Sequence, residues 1–171
     1  LETLRLPLLA RIYCDLSIES GWIPDYEYNL YKDYWRRIER ERKQFEFPQD
    51  VERVRRLALN LFTPERPYPW TGNELRQEDV DDTTQRRLES IGWLRRQDGG
   101  EAVIVHDRLL NWAVAEALIE HHRVGYINTE EMVAKLVAGT DFESGFRRWL
   151  GYVPLDVLWL LSDPARTRVS T

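Results

Sequence analysis

The feature that most constrains this chain is a short strand pattern inside a sequence whose apolar residues otherwise recur at helical spacing. Residues 93–95 and 102–105 are rich in β-formers, and the turn sequence Gln-Asp-Gly-Gly lies between them at residues 97–100. This arrangement predicts a two-stranded antiparallel hairpin. The chain is therefore predicted to be mainly α-helical with one small sheet.

Helical patterns precede the hairpin. Residues 4–20 form the first, with Pro7 in its first turn, where a missing N–H does no harm. A second pattern covers residues 27–44 and carries an aromatic core stripe that includes Tyr31, Tyr34 and Trp35. A third covers residues 50–62, and a proline-rich linker follows it at residues 63–70.

Two shorter helices are predicted next, at residues 71–77 and from Asp82 to about Ile91. Asp82 with Gln85 three positions later matches a helix-capping signature. Three helices followed by a hairpin is the order of a winged helix. A long helix then runs from Asp107 to about His122 with one broad apolar face.

The remaining sequence is again helical. Asn128 with Glu131 opens one helix, with Met132, Val133, Leu136 and Val137 predicted inside. Phe142, Phe146, Trp149 and Leu150 mark another helix, and Pro154 opens a last one. The predicted organisation is a helical subdomain at residues 1–48, a winged helix at 49–123, and the start of a C-terminal helical domain at 124–171.

Composition limits the functional classes. The 171 residues have a net charge of −5, so no overall positive field attracts nucleic acid or anionic lipid. A single Cys, Cys14, forbids an internal disulfide. The sequence has neither a leader nor an apolar run of about 20 residues, so we expect a cytoplasmic, non-membrane protein. Because Leu1 begins in mid-pattern and the only methionine is Met132, we expect an internal fragment of a longer protein.

His106 and Asp107 are the candidate site residues. Asp107 stands where the N-cap of the long helix is predicted, so we expect a structural capping role for it. His106 would then lie at the end of a strand and beside a helix N-terminus. That location favours phosphate binding, because unsatisfied amides and the helix dipole both point there.

Three patterns, in chain order, resemble the region that follows the NTPase core in STAND ATPases, especially the NACHT families. They are Leu-Pro-Leu-Leu at residues 6–9, Leu-Tyr-Lys-Asp-Tyr-Trp at 30–35, and Val105-His106-Asp107. The last is similar to the family's Met-His-Asp motif, with valine in place of methionine. The resemblance covers roughly residues 4–122.

The resemblance implies a non-catalytic regulatory segment of a nucleotide-switch ATPase. In such proteins the histidine contacts the β-phosphate of ADP and the proline packs on adenine, which implies nucleotide-binding roles for His106 and Pro7. The implied partner is the chain's own upstream NTPase domain, which binds ADP or ATP with Mg²⁺. Homo-oligomerisation on activation and roles in signalling or antiviral defence are further implications.

The segment itself is not expected to be an enzyme, since it contains no P-loop sequence. Adjacent His121 and His122 diverge on a helix, and we expect neither a metal site nor a cofactor in the segment. One alternative is a DNA-binding winged helix. Four acids in residues 78–82 oppose it, whereas Arg86, Arg87, Arg95 and Arg96 leave backbone contact possible. Another alternative is a protein-interaction module that uses aromatic-rich helices.

Overall fold

The computed structural model describes Ala10, Cys14 and residues 27–44, 50–61, 68–139 and 151–163. In these residues the chain is mainly α-helical, with seven helices and one two-stranded antiparallel sheet. The chain divides into two compact units, Leu1–Pro48 and Gln49–Thr171. None of the helices in the described ranges is long and apolar enough to cross a bilayer.

Some predicted features lie outside the described residues. They are Pro7, most of the predicted helix at residues 4–20, most of the proline-rich linker, and the helix marked by Phe142, Phe146, Trp149 and Leu150. Of the first helix, Ala10 and Cys14 are described, and both are α-helical.

Helix α1 (Glu27–Gln44) is the main described element of the first unit. Its predicted aromatic stripe is buried, with Tyr31, Tyr34 and Trp35 each at most 5% exposed. Asp33 lies beside the stripe and accepts a hydrogen bond from the Arg36 guanidinium at 3.0 Å. The prediction of a helix with an aromatic core face at residues 27–44 is confirmed.

The second unit is built around helix α5 (Asp107–Arg123). Helix α2 (Asp50–Asn60) packs against it through a face that includes Val54 and Leu57. Every residue of α5 from Leu109 to Ile119 is buried. The predicted apolar face is confirmed as buried, and the burial extends beyond it, because neighbouring elements cover this helix on all sides and enclose even its polar Asn111 and Glu116.

Two short capped helices connect α2 to the sheet. Helix α3 (Gly72–Gln77) starts with a capping box, in which the Thr71 side chain and the Glu74 carboxylate bond to each other's main-chain N–H. Helix α4 (Asp82–Ser90) is capped by Asp81, whose carboxylate accepts the Thr84 N–H at 2.7 Å. The predicted cap at Asp82 is thus wrong by one residue, because Asp81 is the last residue with extended backbone.

Strands β1 (Leu94–Arg96) and β2 (Ala102–Ile104) form the predicted hairpin, with Arg95 opposite Val103. Gly100 closes the turn with a φ of 81°, a conformation that glycine adopts without a Cβ clash. Trp70 pairs with Ala102 through two main-chain hydrogen bonds of 3.0 and 2.8 Å. One residue from the segment between α2 and α3 therefore extends the sheet next to β2.

Helices α6 (Thr129–Gly139) and α7 (Val153–Ser162) follow α5. The predicted Asn128–Glu131 capping box is present, with two hydrogen bonds of 2.8 Å. Met132 is buried, but Val133 and Val137 are 49% and 65% exposed, so their predicted interior positions are wrong. Helix α7 begins with Pro154 in its first turn and packs against α5 within the unit that starts at Gln49.

Candidate functional site at the start of helix α5

Strand β2 carries the chain directly to the N-terminus of α5. Val105 donates its N–H to the Trp93 carbonyl at 3.1 Å, which extends the hairpin pairing by one bond. His106 follows with extended backbone, at φ −153° and ψ 145°. Its carbonyl accepts the N–H groups of Leu109 and Leu110, so the helix begins immediately after it.

His106, rather than Asp107, is the N-cap of α5. The His106 Nδ1 atom accepts the main-chain N–H of Arg108 at 3.1 Å. Asp107 already belongs to the helix as its first residue, so the predicted capping role of its side chain is wrong. The exposed Asp107 carboxylate still lies in the first turn, where it interacts favourably with the positive helix end.

The capping bond determines how the imidazole can act on a ligand. The ring is exposed, and its Nδ1 atom accepts a hydrogen bond, so a neutral ring carries its hydrogen on Nε2. An Nε2–H group is a suitable donor to a phosphate or carboxylate oxygen. The site therefore combines one exposed donor with the positive end of a 17-residue helix.

The next residue, Arg108, connects this site to α7. Its two terminal guanidinium nitrogens donate to the two Asp156 carboxylate oxygens at 2.7 and 2.9 Å. Asp156 is fully buried, and the Arg108 side chain is 11% exposed. The guanidinium carbon also lies 4.5 Å from the centroid of the Tyr152 ring, within cation–π distance.

Asn111 makes a second connection between the same two helices. Its side-chain amide nitrogen donates to the Asp107 carbonyl at 2.7 Å, and its amide oxygen accepts the Tyr152 N–H at 3.0 Å. Asn111 is fully buried. We call Arg108, Asn111, Tyr152 and Asp156 the α5–α7 polar cluster.

The sequence prediction did not include the α5–α7 polar cluster. Its hydrogen bonds between the two helices join residues 41 and 48 positions apart, and periodicity gives no information on pairing over such distances. The available signal was the presence of polar residues within apolar helix patterns, Asn111 and Glu116 in α5 and Asp156 in α7.

The other histidines have local roles in the structure. The His121 Nε2 atom lies 3.5 Å from the Glu52 carboxylate, and its ring stacks edge-on against Tyr126. His122 Nε2 lies 3.1 Å from the Thr129 hydroxyl. Within the ranges that the structure describes, no group of three or more His, Cys, Asp or Glu side chains could hold a metal ion.

The acidic run at residues 78–82 is partly enclosed by α2. Glu78 is buried and accepts a hydrogen bond from the Asn60 amide at 2.7 Å. The Arg56 guanidinium lies 3.2 Å from the Asp79 carboxylate. Glu78 therefore belongs to the contact between this turn and α2.

Much of the basic charge near α4 is engaged in ion pairs. Arg87 makes two hydrogen bonds of 2.9 Å to Asp50, and Arg96 lies 3.0 Å from Glu89. Arg86 and Arg95 are exposed, but Asp81 and Asp82 lie at the N-terminus of the same helix. This mixed surface offers little net attraction for a phosphate backbone.

Comparison with models of protein families, with curated proteins and with solved structures finds no match for this chain.

Proposed function

We propose that this chain is a regulatory segment of a STAND-type nucleotide-switch ATPase, and that His106 contacts the β-phosphate of ADP held by an upstream NTPase domain. The observation that carries the proposal is the exposed imidazole at the N-terminus of α5, with Nδ1 bonded to the Arg108 N–H. In this arrangement Nε2–H is the donor to the diphosphate. The helix dipole adds to the attraction.

We further propose that α2, α3, α4 and the hairpin form a winged helix. Their order along the chain supports it, since three helices precede two antiparallel strands. The pairing of Trp70 with Ala102 also supports it, because it fixes the segment between the first two helices to the sheet. The hairpin would then hold His106 in place relative to the body of the winged helix.

The proposed role is regulatory and needs no chemistry from this chain. His106 would contact ADP more strongly than ATP. The closed arrangement of the protein would therefore bind ADP more tightly than ATP. Exchange of ADP for ATP would therefore shift the population toward an open arrangement. Exposure of an effector and homo-oligomerisation are the proposed outcomes. An adenine contact by Pro7 stays a prediction.

The test is ADP release from the longer protein that we propose contains this chain. A hydrogen bond to a charged group contributes about 1.5–3 kcal/mol, so we expect His106→Ala to accelerate release roughly ten- to a hundredfold. His106→Ser is the matched control for the cap, because serine can accept the Arg108 N–H but has no imidazole. We expect fast release from both variants, with lowered stability of α5 only in the alanine variant.

Unchanged ADP release in both variants would overturn the proposed contact. A longer coding sequence without a P-loop ahead of this segment would overturn it as well. Binding of the 171-residue chain to duplex DNA, with a steep dependence on salt, would instead support the DNA-binding alternative.

A further inference from the structure

The first turn of α5, which presents His106, is fixed to α7 at three points. Arg108 makes two hydrogen bonds to the buried Asp156 carboxylate. The same guanidinium lies over the Tyr152 ring. Asn111 joins the Asp107 carbonyl to the Tyr152 N–H. The terminal turn of a helix tends to fray, and these bonds hold this turn in its helical conformation.

The bond that orients the imidazole depends on this turn. His106 Nδ1 accepts the main-chain N–H of Arg108, the residue whose side chain pairs with Asp156. If α7 is displaced, Arg108 and Asp156 lose each other as partners, and separating an enclosed ion pair is strongly unfavourable. Helix α7 and the first turn of α5 are therefore expected to move together.

We propose that Asp156 is a positioning residue for His106, through which a displacement of α7 weakens the contact to the diphosphate. This inference rests on the proposed function of His106. A partner that binds the C-terminal part of the protein and displaces α7 would promote ADP release. By linkage, bound ADP opposes the displacement of α7 to the same extent.

The chain offers a matched control pair elsewhere in the same unit. Arg87 makes two hydrogen bonds of 2.9 Å to Asp50, joining α4 to α2. The Asp50 side chain is 13% exposed and the Arg87 side chain 21%, so this pair is also largely enclosed. Asp50 and Arg87 belong to α2 and α4, so this pair is separate from the α5–α7 polar cluster. Asp50→Asn also removes the 2.8 Å contact of Asp50 with Arg53, so it reports the general effect of losing enclosed ion pairs.

The first experiment measures ADP release from the longer protein carrying Asp156→Asn, Asp50→Asn, or Asp156→Asn with His106→Ala. We expect Asp156→Asn to accelerate release roughly three- to tenfold and Asp50→Asn to leave it unchanged. In the His106→Ala background, Asp156→Asn should add nothing. A general loss of stability would still accelerate ADP release in the His106→Ala background. Faster release of the double variant than of His106→Ala would therefore overturn the inference. Unchanged release from the Asp156→Asn single variant would overturn it as well.

The second experiment needs no nucleotide and keeps the two proposals distinguishable. Amide hydrogen exchange in the 171-residue chain should be faster at Arg108 in Asp156→Asn than in Asp50→Asn. Equal exchange in the two variants would overturn the coupling even if His106→Ala accelerates ADP release. If Asp156→Asn speeds exchange at Arg108 but His106→Ala leaves ADP release unchanged, the proposed function is overturned. The coupling between α7 and the first turn of α5 would still be established. If Asp156→Asn does not fold, Arg108→Lys serves instead, since lysine keeps the charge but loses the two-bond geometry.

Discussion

At the residue scale, the two ring nitrogens of His106 have separate roles. Nδ1 satisfies a main-chain N–H at the start of α5, which is the role usually taken by Ser, Thr, Asp or Asn. Nε2 is then the atom available for a ligand. A histidine at this position can thus cap the helix with one atom and present a donor on another, which an ionised aspartate cannot do and which a serine hydroxyl can do only from a single oxygen.

Asp81 gives a prediction at acidic pH. The Thr84 N–H that it accepts holds the pKa of its carboxyl below the usual value, so its stabilisation is present above the unfolded pKa and is lost as pH falls through the folded pKa. We expect Asp81→Ala to cost ~1 kcal/mol at neutral pH, and the difference to shrink in strong acid. Urea unfolding at several pH values measures this. An equal cost from Asp82→Ala, which removes a neighbouring exposed acid, would contradict the capping role.

Tyr68 gives a prediction at alkaline pH. Burial raises its pKa to about 12, against a smaller lowering by its hydrogen bond to the main chain of Ile104. Because the folded pKa lies above the unfolded one of about 10, the stabilisation is present below pH 10 and is lost as pH rises toward 12. Tyr68→Phe should therefore lose less stability than the wild type over this interval. Tyr126→Phe, at an exposed tyrosine, is the control. An identical pH dependence of the unfolding free energy for the two variants would contradict the burial of Tyr68.

At the element scale, periodicity predicted the positions of most described helices and of the hairpin. Residues 27–44 repeat aromatic side chains at helical spacing, and α1 has those bounds. Residues 109–119 are apolar on nearly all sides of α5, which is typical of a helix enclosed by several neighbours, although one broad face was predicted. The packing of α2, α6, α7 and β2 on α5 buries Asn111 and Glu116 as well, and their partners could not be predicted from the pattern.

The candidate site was predicted less completely than the fold. The local sequence pattern predicted that a strand leads directly into a helix N-terminus at His106. The identity of the N-cap was not predicted correctly. A helix that started one residue later would have Asp107 as its N-cap, whereas the observed start makes His106 the N-cap. The α5–α7 polar cluster depends on tertiary contact between distant residues, so periodicity alone gave no access to it.

Helix α6 allows a direct test of the corrected burial pattern. Met132 is 6% exposed, whereas its neighbour Val133 is 49% exposed. We expect Met132→Ala to lower the free energy of unfolding by about 2 kcal/mol and Val133→Ser to change it by less than about 0.5 kcal/mol. Thermal or urea unfolding of the two variants measures the difference. A larger cost for Val133→Ser than for Met132→Ala would show that α6 packs through its other face.

At the scale of the whole molecule, the second unit joins the proposed winged helix and helix α7 in one compact body. The overall charge of −5 and the ion-paired arginines around α4 give little attraction for nucleic acid. A regulatory role is consistent with this arrangement, because the exposed His106 lies between the hairpin and the helix pair α5–α7. We therefore expect a movement of either structure to change the orientation of the imidazole.

The most direct test is the preference of the longer protein for ADP over ATP. A contact specific to the ADP-bound state requires His106→Ala to weaken ADP binding by about tenfold or more while ATP affinity changes little. Equilibrium titration of both nucleotides against wild type and variant gives the four dissociation constants. We expect the ADP/ATP preference to fall by that factor. Equal weakening for the two nucleotides, or no change in either, would contradict it.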